Sequence, residues 1–303
     1  MRTLNHSLTS CRPKFLCNTS GSGKTRLLLE GLSRHWGFYF TARNEPEGVG
    51  SKDLELVLYG LKSHLNEITD RGPATVLNGN RRVACHRFRL LLYARYVCLR
   101  VFLECAAAME GGITENHKGR WLLIQLAPIT LLGSDIFFGL IQLVGRASAG
   151  SLPQFIQEET MTIRRLLQHQ FPSQQPTLFC VLDEAQTLTK DLKYFRSETE
   201  PVTPRHILST ILHEWRWILP NLIVSGTGMS MREVETVMGS AVAKLGLGPE
   251  TVTQIGGFDD EDGRRAYLER YFPPGFLGTS EGKLLAYRVG FWLRGRFVFN
   301  AAV

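Results

Sequence analysis

Lys14-Phe15-Leu16-Cys17-Asn18-Thr19-Ser20-Gly21-Ser22-Gly23-Lys24-Thr25-Arg26-Leu27-Leu28-Leu29-Glu30-Gly31-Leu32 is the stretch whose reading decides the fold. Lys14 to Cys17 is a short apolar run, Asn18 to Gly23 is made of small, turn-forming residues, and leucines then stand at 27, 28, 29 and 32. That succession predicts a strand, a glycine-rich turn and a helix. Trp36 to Thr41 follows, with Phe38, Tyr39 and Phe40 favouring extended backbone, so the chain opens as β-α-β, the start of a parallel sheet.

Moving outward, the pattern changes at Asp53 to helical periodicity that lasts to Gln170. Helices are expected over Asp53 to Leu65, Arg82 to Met109, Ser134 to Val144 and Leu152 to Gln168, with loops at Arg71 to Asn80 and Gly111 to Gly119. Trp121 to Leu126 fits a strand or a buried helix equally. Alternation resumes with Thr177 to Leu182, an apolar run bounded by Pro176 and an acidic pair, as in a central parallel strand covered on both faces. A helix over Arg205 to Leu219 follows, with Pro204 where a first turn tolerates it. Asn221 to Val224 and Thr251 to Gly256 read as further strands, and Asp259 to Arg270 as a helix with acidic residues at its amino end. The expectation is one α/β domain over residues 14–303, three-layered, with a helical insertion over about 50–170 on one side of the sheet. Residues 1–13 form a short amino-terminal extension.

Composition narrows the class. The 303 residues are 44% hydrophobic and 21% charged, as in a globular chain with a sizeable core. No run nears the roughly 20 apolar residues of a membrane span, since Val97 to Met109 is broken by Arg100 and Glu104. Met1 to Pro13 is polar and lacks a secretory apolar segment, so an intracellular protein, cytoplasmic or nuclear, is expected. The six cysteines lie apart without CxxC spacing, which argues against a zinc site or a disulfide framework. The formal charge is +7, and Arg81 to Arg100 interleaves six arginines with Phe, Tyr and Leu. An amphipathic helix with a solvated basic face explains that stretch better than a nucleic-acid surface.

Asn18-Thr19-Ser20-Gly21-Ser22-Gly23-Lys24-Thr25 matches the phosphate-loop pattern G-x-x-x-x-G-K-[ST] at all but the first glycine, and asparagine tolerates left-handed backbone better than most residues. Small residues let backbone N–H groups curl around phosphate oxygens, and the helix that follows adds its positive end. Lys24 is expected at the β and γ phosphates, and Thr25 is expected to offer its hydroxyl to Mg2+. Phe179-Cys180-Val181-Leu182-Asp183-Glu184 sets two carboxylates at the carboxyl end of a buried strand, where ligands bind in open parallel sheets. Asp183 is the expected magnesium partner, and Glu184 the group that orients and polarises an attacking water. Ser225 and Thr227, read as ending the next strand, are candidates to touch the γ-phosphate or the water. Arg296, with Arg294 beside it, is a candidate for positive charge on the leaving phosphates, a role that a solvated basic turn rivals.

Asn18 to Arg26, then Val181-Leu182-Asp183-Glu184-Ala185-Gln186, then Ser225-Gly226-Thr227-Gly228 together resemble the P-loop NTPase module of Crinkler-type and retrotransposon-hot-spot-type proteins, fungal members above all. The resemblance implies an additional-strand P-loop fold with a catalytic glutamate, related to AAA and STAND ATPases, that takes ATP and Mg2+. It also implies a carboxyl-terminal lid, expected to be truncated here because the sequence stops at Val303, soon after Arg296. The partners expected are the nucleotide first, then a homo-oligomer and, with weaker support, a nucleic acid; a membrane is not among them. ATP hydrolysis is the leading expectation. A nucleotide-binding switch with negligible turnover, serving protein or nucleic-acid assembly, is the alternative. A kinase is disfavoured because Glu184 would activate the water that a kinase must exclude.

Overall fold

The computed structural model describes residues 13–18, 23–42, 49–68, 74–145, 150–190, 192–197, 203–219, 221–227, 250–252, 261–269 and 272–292. From the amino end come β1 (Lys14–Asn18), α1 (Lys24–Arg34) and β2 (Gly37–Thr41). The helices α2 (Asp53–Lys62), α3 (Ala74–Met109), α4 (Asn116–Leu126), α5 (Pro128–Leu132), α6 (Ile136–Val144) and α7 (Leu152–Gln170) follow. Next are β3 (Phe179–Asp183), a 3-10 turn at Ala185–Thr189, the two-residue strands β4 (Phe195–Arg196) and β5 (Pro204–Arg205), then α8 (Ile207–Ile218). The chain continues through β6 (Asn221–Thr227), β7 (Glu250–Val252), α9 (Glu261–Leu268) and α10 (Ser280–Trp292).

The five main strands form one parallel sheet in the order β2-β3-β6-β1-β7. Side chains alternate across it with the two-residue period of extended chain. Phe15, Phe38, Phe40, Leu182, Leu222 and Val224 face one core, shared with α3, α8 and most of the insertion. Leu16, Tyr39, Phe179, Val181 and Ile223 face the other, where Leu28 and Leu32 of α1 cover them. Both faces are therefore buried, and the strands read as unbroken apolar runs for that reason. Beyond β7, Leu268, Leu277 and Val289 form a small separate cluster. Among the described residues, no helix is long and apolar enough to cross a membrane.

Several expectations need correction. The insertion is not confined to one side of the sheet, because α4 wraps the free edge at β2. Leu122 packs with the α1 core while Trp121 belongs to the opposite one. Trp121 Nε1 donates to the Gly37 carbonyl at 2.7 Å, and Gln125 Oε1 accepts from Tyr39 N at 2.9 Å, so side chains take the place of a further strand. That contact makes Trp121 to Leu126 helix, and α4 also takes in the end of the loop expected at Gly111 to Gly119.

The long helix α3 starts at Ala74, inside a segment read as a loop. Asn80, taken for a turn former, is buried and ties α3 down by donating to the carbonyls of Asn66 and Tyr194. Pro204 does not open a helix. It pairs with Arg196 in the β4–β5 ladder, and α8 begins at Ile207. The strand that starts at Asn221 runs on to Thr227, so Ser225 lies within it. α5 and α10 are helices where the apolar spacing predicts none.

Three of the six arginines on α3 are paired with carboxylates of other elements. Arg95 is wholly buried against Asp53, with Nε to Oδ2 at 2.6 Å and Nη2 to Oδ1 at 2.9 Å, and its guanidinium lies 3.8 Å from the Phe137 ring centre. Arg89 pairs with Glu214 at 2.8 Å and Arg100 with Glu159 at 2.6 Å. Of these three, Arg95 is wholly buried, while Arg89 and Arg100 are paired in partly exposed positions.

Candidate functional site

Strand β6 lies between β1 and β3, so the ends of those two strands stand about 10 Å apart at ordinary interstrand spacing. Helix α1 spans that gap. Gly23 precedes it with φ 84°, a left-handed backbone that glycine adopts without a Cβ penalty, and the chain then turns directly into Lys24 and Thr25. Thr25 Oγ1 donates to Asp183 Oδ2 at 2.7 Å across 158 residues of sequence. Lys24, 6% exposed, donates from Nζ to the Asn18 carbonyl at 3.0 Å. Burial lowers the Lys24 pKa, while the negative charges of Glu184 and Asp183 pull it back up. A desolvated ammonium beside two carboxylates is thus held at the carboxyl end of the sheet.

Asp183 ends β3 on the α1 face. Besides Thr25 it accepts from the Tyr39 hydroxyl at 3.2 Å, and its Oδ1 accepts from Glu184 N at 3.0 Å. Glu184 has φ 56° and is the one non-glycine residue with positive φ among the described residues. Such a conformation costs a carboxylate-bearing residue about 1 kcal/mol or more and persists only where the surroundings impose it. Here they do: Gln186 Nε2 donates to Glu184 Oε2 at 2.6 Å, and Gln186 Oε1 accepts from Thr227 N at 3.0 Å. One amide therefore ties the glutamate to the end of β6.

Comparison with models of known families, with curated proteins and with solved structures finds no match for this chain.

Of the residues singled out in the sequence, Lys24, Thr25, Asp183 and Glu184 come together. Ser225 is fully buried beside them on β6: Leu182 pairs with Val224, which puts Ser225 level with the end of β3, and its Oγ has no hydrogen-bond partner. Thr227 takes part through its backbone N–H. Arg26 turns away and pairs with Glu30 at 2.9 Å on the exposed side of α1. Thr19, Ser20, Gly21, Ser22, Gly228, Arg294 and Arg296 lie outside the described residues.

Two contributors were missed, Tyr39 and Gln186. Tyr39 was legible in principle, since it alternates onto the same sheet face as Thr41, which pairs with Asp183. Gln186 gave no such signal, because its role depends on a turn that folds the side chain back between two strands.

A magnesium ion takes hard oxygen ligands, commonly one or two carboxylates completed by water and substrate phosphates. A hydroxyl and a carboxylate already in contact at Thr25 and Asp183 fit that donor set. Among the described residues there is no cluster of three His, Cys, Asp or Glu that would serve as an all-protein cage, and a site of this kind needs none.

Proposed function

We propose that the carboxyl end of the sheet binds ATP with magnesium and hydrolyses it, as a P-loop NTPase does. The observation that carries this reading is the 2.7 Å contact of Thr25 with Asp183, which joins the two halves of the sequence pattern at the start of one helix. The strand order gives further support. β6 separates the strand before the glycine-rich segment from the strand before the acidic pair, the arrangement that an additional-strand P-loop fold requires. Thr25 and Asp183 would hold the metal ion, which when bound offsets phosphate charge.

In this reading Lys24 contributes an ammonium that burial has already desolvated, so its attraction to a phosphate is stronger than in water. Glu184 takes a proton from a water whose oxygen bonds to the γ-phosphorus, as the bond from that phosphorus to the bridging oxygen breaks. ADP and inorganic phosphate leave. Gln186 fixes the carboxylate for that transfer, and the buried Ser225 hydroxyl supplies a spare polar group on the neighbouring strand.

The test is a calorimetric titration of ATP, with and without magnesium, on the parent chain and on Lys24→Ala. Magnesium-dependent binding that weakens at least tenfold in the variant, about 1.4 kcal/mol, is expected. Equal binding by both chains sinks the proposal. Glu184→Gln should keep binding and lose phosphate release by about 10²–10⁴-fold, the range of a general base.

A second reading, a nucleotide switch with negligible turnover, draws on the 2.6 Å bond that engages Glu184 Oε2 with Gln186. Nucleotide-dependent assembly without steady-state phosphate release would favour it.

A further inference from the structure

The Asp183 carboxylate accepts hydrogen bonds from Glu184 N, from Thr25 Oγ1 and from the Tyr39 hydroxyl, and these are not equivalent. Glu184 is the next residue in the chain, and Thr25 would itself hold the metal ion. Tyr39, 3.2 Å from Oδ2, neither adjoins Asp183 in sequence nor belongs to the expected ligand set. Without such an outside donor a carboxylate turns easily, because the last torsion of aspartate has broad minima.

Tyr39 is in turn held in place by the insertion. Its ring is buried on the α1 face of the sheet. Its backbone N donates to Gln125 Oε1 of α4 at 2.9 Å, and Gln125 Nε2 donates to the Gly37 carbonyl at 3.2 Å, so α4 grips the strand that carries the ring. Gly50, whose N donates to the Leu126 carbonyl at 2.8 Å, packs against the ring itself. A Cβ on Gly50 would stand 3.3 Å from Tyr39 Cε1 and 2.8 Å from Thr41 Cγ2, and its φ of +119° favours glycine in any case. The insertion thus fixes the phenol oxygen that meets Asp183.

The spacing of the pair that Tyr39 touches points to a consequence. Thr25 Oγ1 and Asp183 Oδ2 stand 2.7 Å apart. Two oxygens at right angles on magnesium, with bonds of about 2.0–2.1 Å, are about 2.8–3.0 Å apart, whereas on calcium, with bonds of about 2.3–2.6 Å, they are about 3.3–3.7 Å apart. The pair is preset to the smaller ion as long as Oδ2 does not swing away from Thr25.

We propose that Tyr39 is a positioning residue through which the site discriminates magnesium from calcium, its hydroxyl holding Asp183 Oδ2 at the short spacing from Thr25. The inference rests on the reading of Thr25 and Asp183 as metal ligands, and adds to it a specificity imposed by α4 and Gly50. Calcium accepts more variable arrangements of oxygen, so loss of the phenol oxygen harms magnesium binding more than calcium binding. Outer donors of this kind change metal affinity by about 10–100-fold.

The experiment is a calorimetric titration of ATP in magnesium, in calcium and in EDTA, on the parent chain and on Tyr39→Phe, which keeps the ring and removes the oxygen. Thermal melts establish that the variant folds. Tyr39→Phe should leave binding in EDTA unchanged and weaken the magnesium-supported affinity about tenfold. The calcium-supported affinity should fall by less, so that the ratio of the two drops at least about threefold. A ratio equal to that of the parent overturns the proposal, and a lower melting temperature beside it gives the hydroxyl a structural role alone. A parent chain that binds ATP no better in magnesium than in EDTA sinks the metal reading and this inference with it. Magnesium dependence shared equally by both chains sinks the inference and leaves the metal reading standing.

Discussion

Asp53 and Asp183 are both buried aspartates near a cation, and their surroundings differ in kind. Asp53 faces Arg95 in a two-pronged ion pair, and its Oδ1 also accepts from Leu54 N. Gln125 Oε1 accepts from Arg95 Nη1 at 3.2 Å and so links the pair to the edge of the sheet. Asp183 accepts from two neutral hydroxyls and one backbone N–H, while the neighbouring ammonium donates to a carbonyl. The first arrangement joins opposite charges directly and locks the insertion onto β2. Hydroxyls hold the second, and in the proposed site a metal ion would join or replace them without leaving a buried charge alone. A closed pair makes structure, whereas an open one is what the proposed nucleotide site would need.

The largest effect should separate these two directly. Arg95→Ala leaves the Asp53 charge uncompensated and should cost about 3–5 kcal/mol in urea unfolding. Asp183→Asn removes no charge partner of that kind and should cost about 1 kcal/mol. A larger loss in the second variant than in the first would mean that Asp183 is as tightly paired as Asp53.

Acid should expose another closed pair. Burial opposes ionisation of Glu214, but hydrogen bonds with His213 and Cys85 and the charge of Arg89 hold its pKa down at about 2, against an ordinary 4.5. The folded chain thus gains stability that is fully present above about pH 4.5 and is lost as pH falls through about 2, on the order of 1–2 kcal/mol. Glu214→Gln should flatten the fall in the urea midpoint over that window, and a profile parallel to the parent would remove Glu214 as its source.

Smallest is the effect of Gln186→Leu. If Gln186 positions Glu184, the variant should keep ATP affinity and lose about tenfold in phosphate release, or about 1.4 kcal/mol. A raised rate would instead make Gln186 a restraint and favour the switch reading.

The parts legible beforehand were those in which local pattern and tertiary role coincide. The apolar run before Asp183 became the central strand β3, and the leucines after Lys24 became the buried stripe of α1. What misled was residue chemistry whose meaning is set by a distant partner. Arg95 in a row of arginines looked solvated until Asp53, 42 residues away, was seen against it, and Asn80 looked like a turn until its amide was found holding two loops. Gln186 belongs with them.

The sequence by itself determined an α/β chain with a parallel sheet and a helical insertion, because period-two and helical spacing of apolar residues follow from local backbone geometry. Which strand lies between which, how α4 closes the edge at β2, and which charges face each other were decided only by the tertiary structure. Those choices depend on contacts between residues far apart in the chain, where a hydrogen-bonding side chain is satisfied or wasted according to what folding brings beside it.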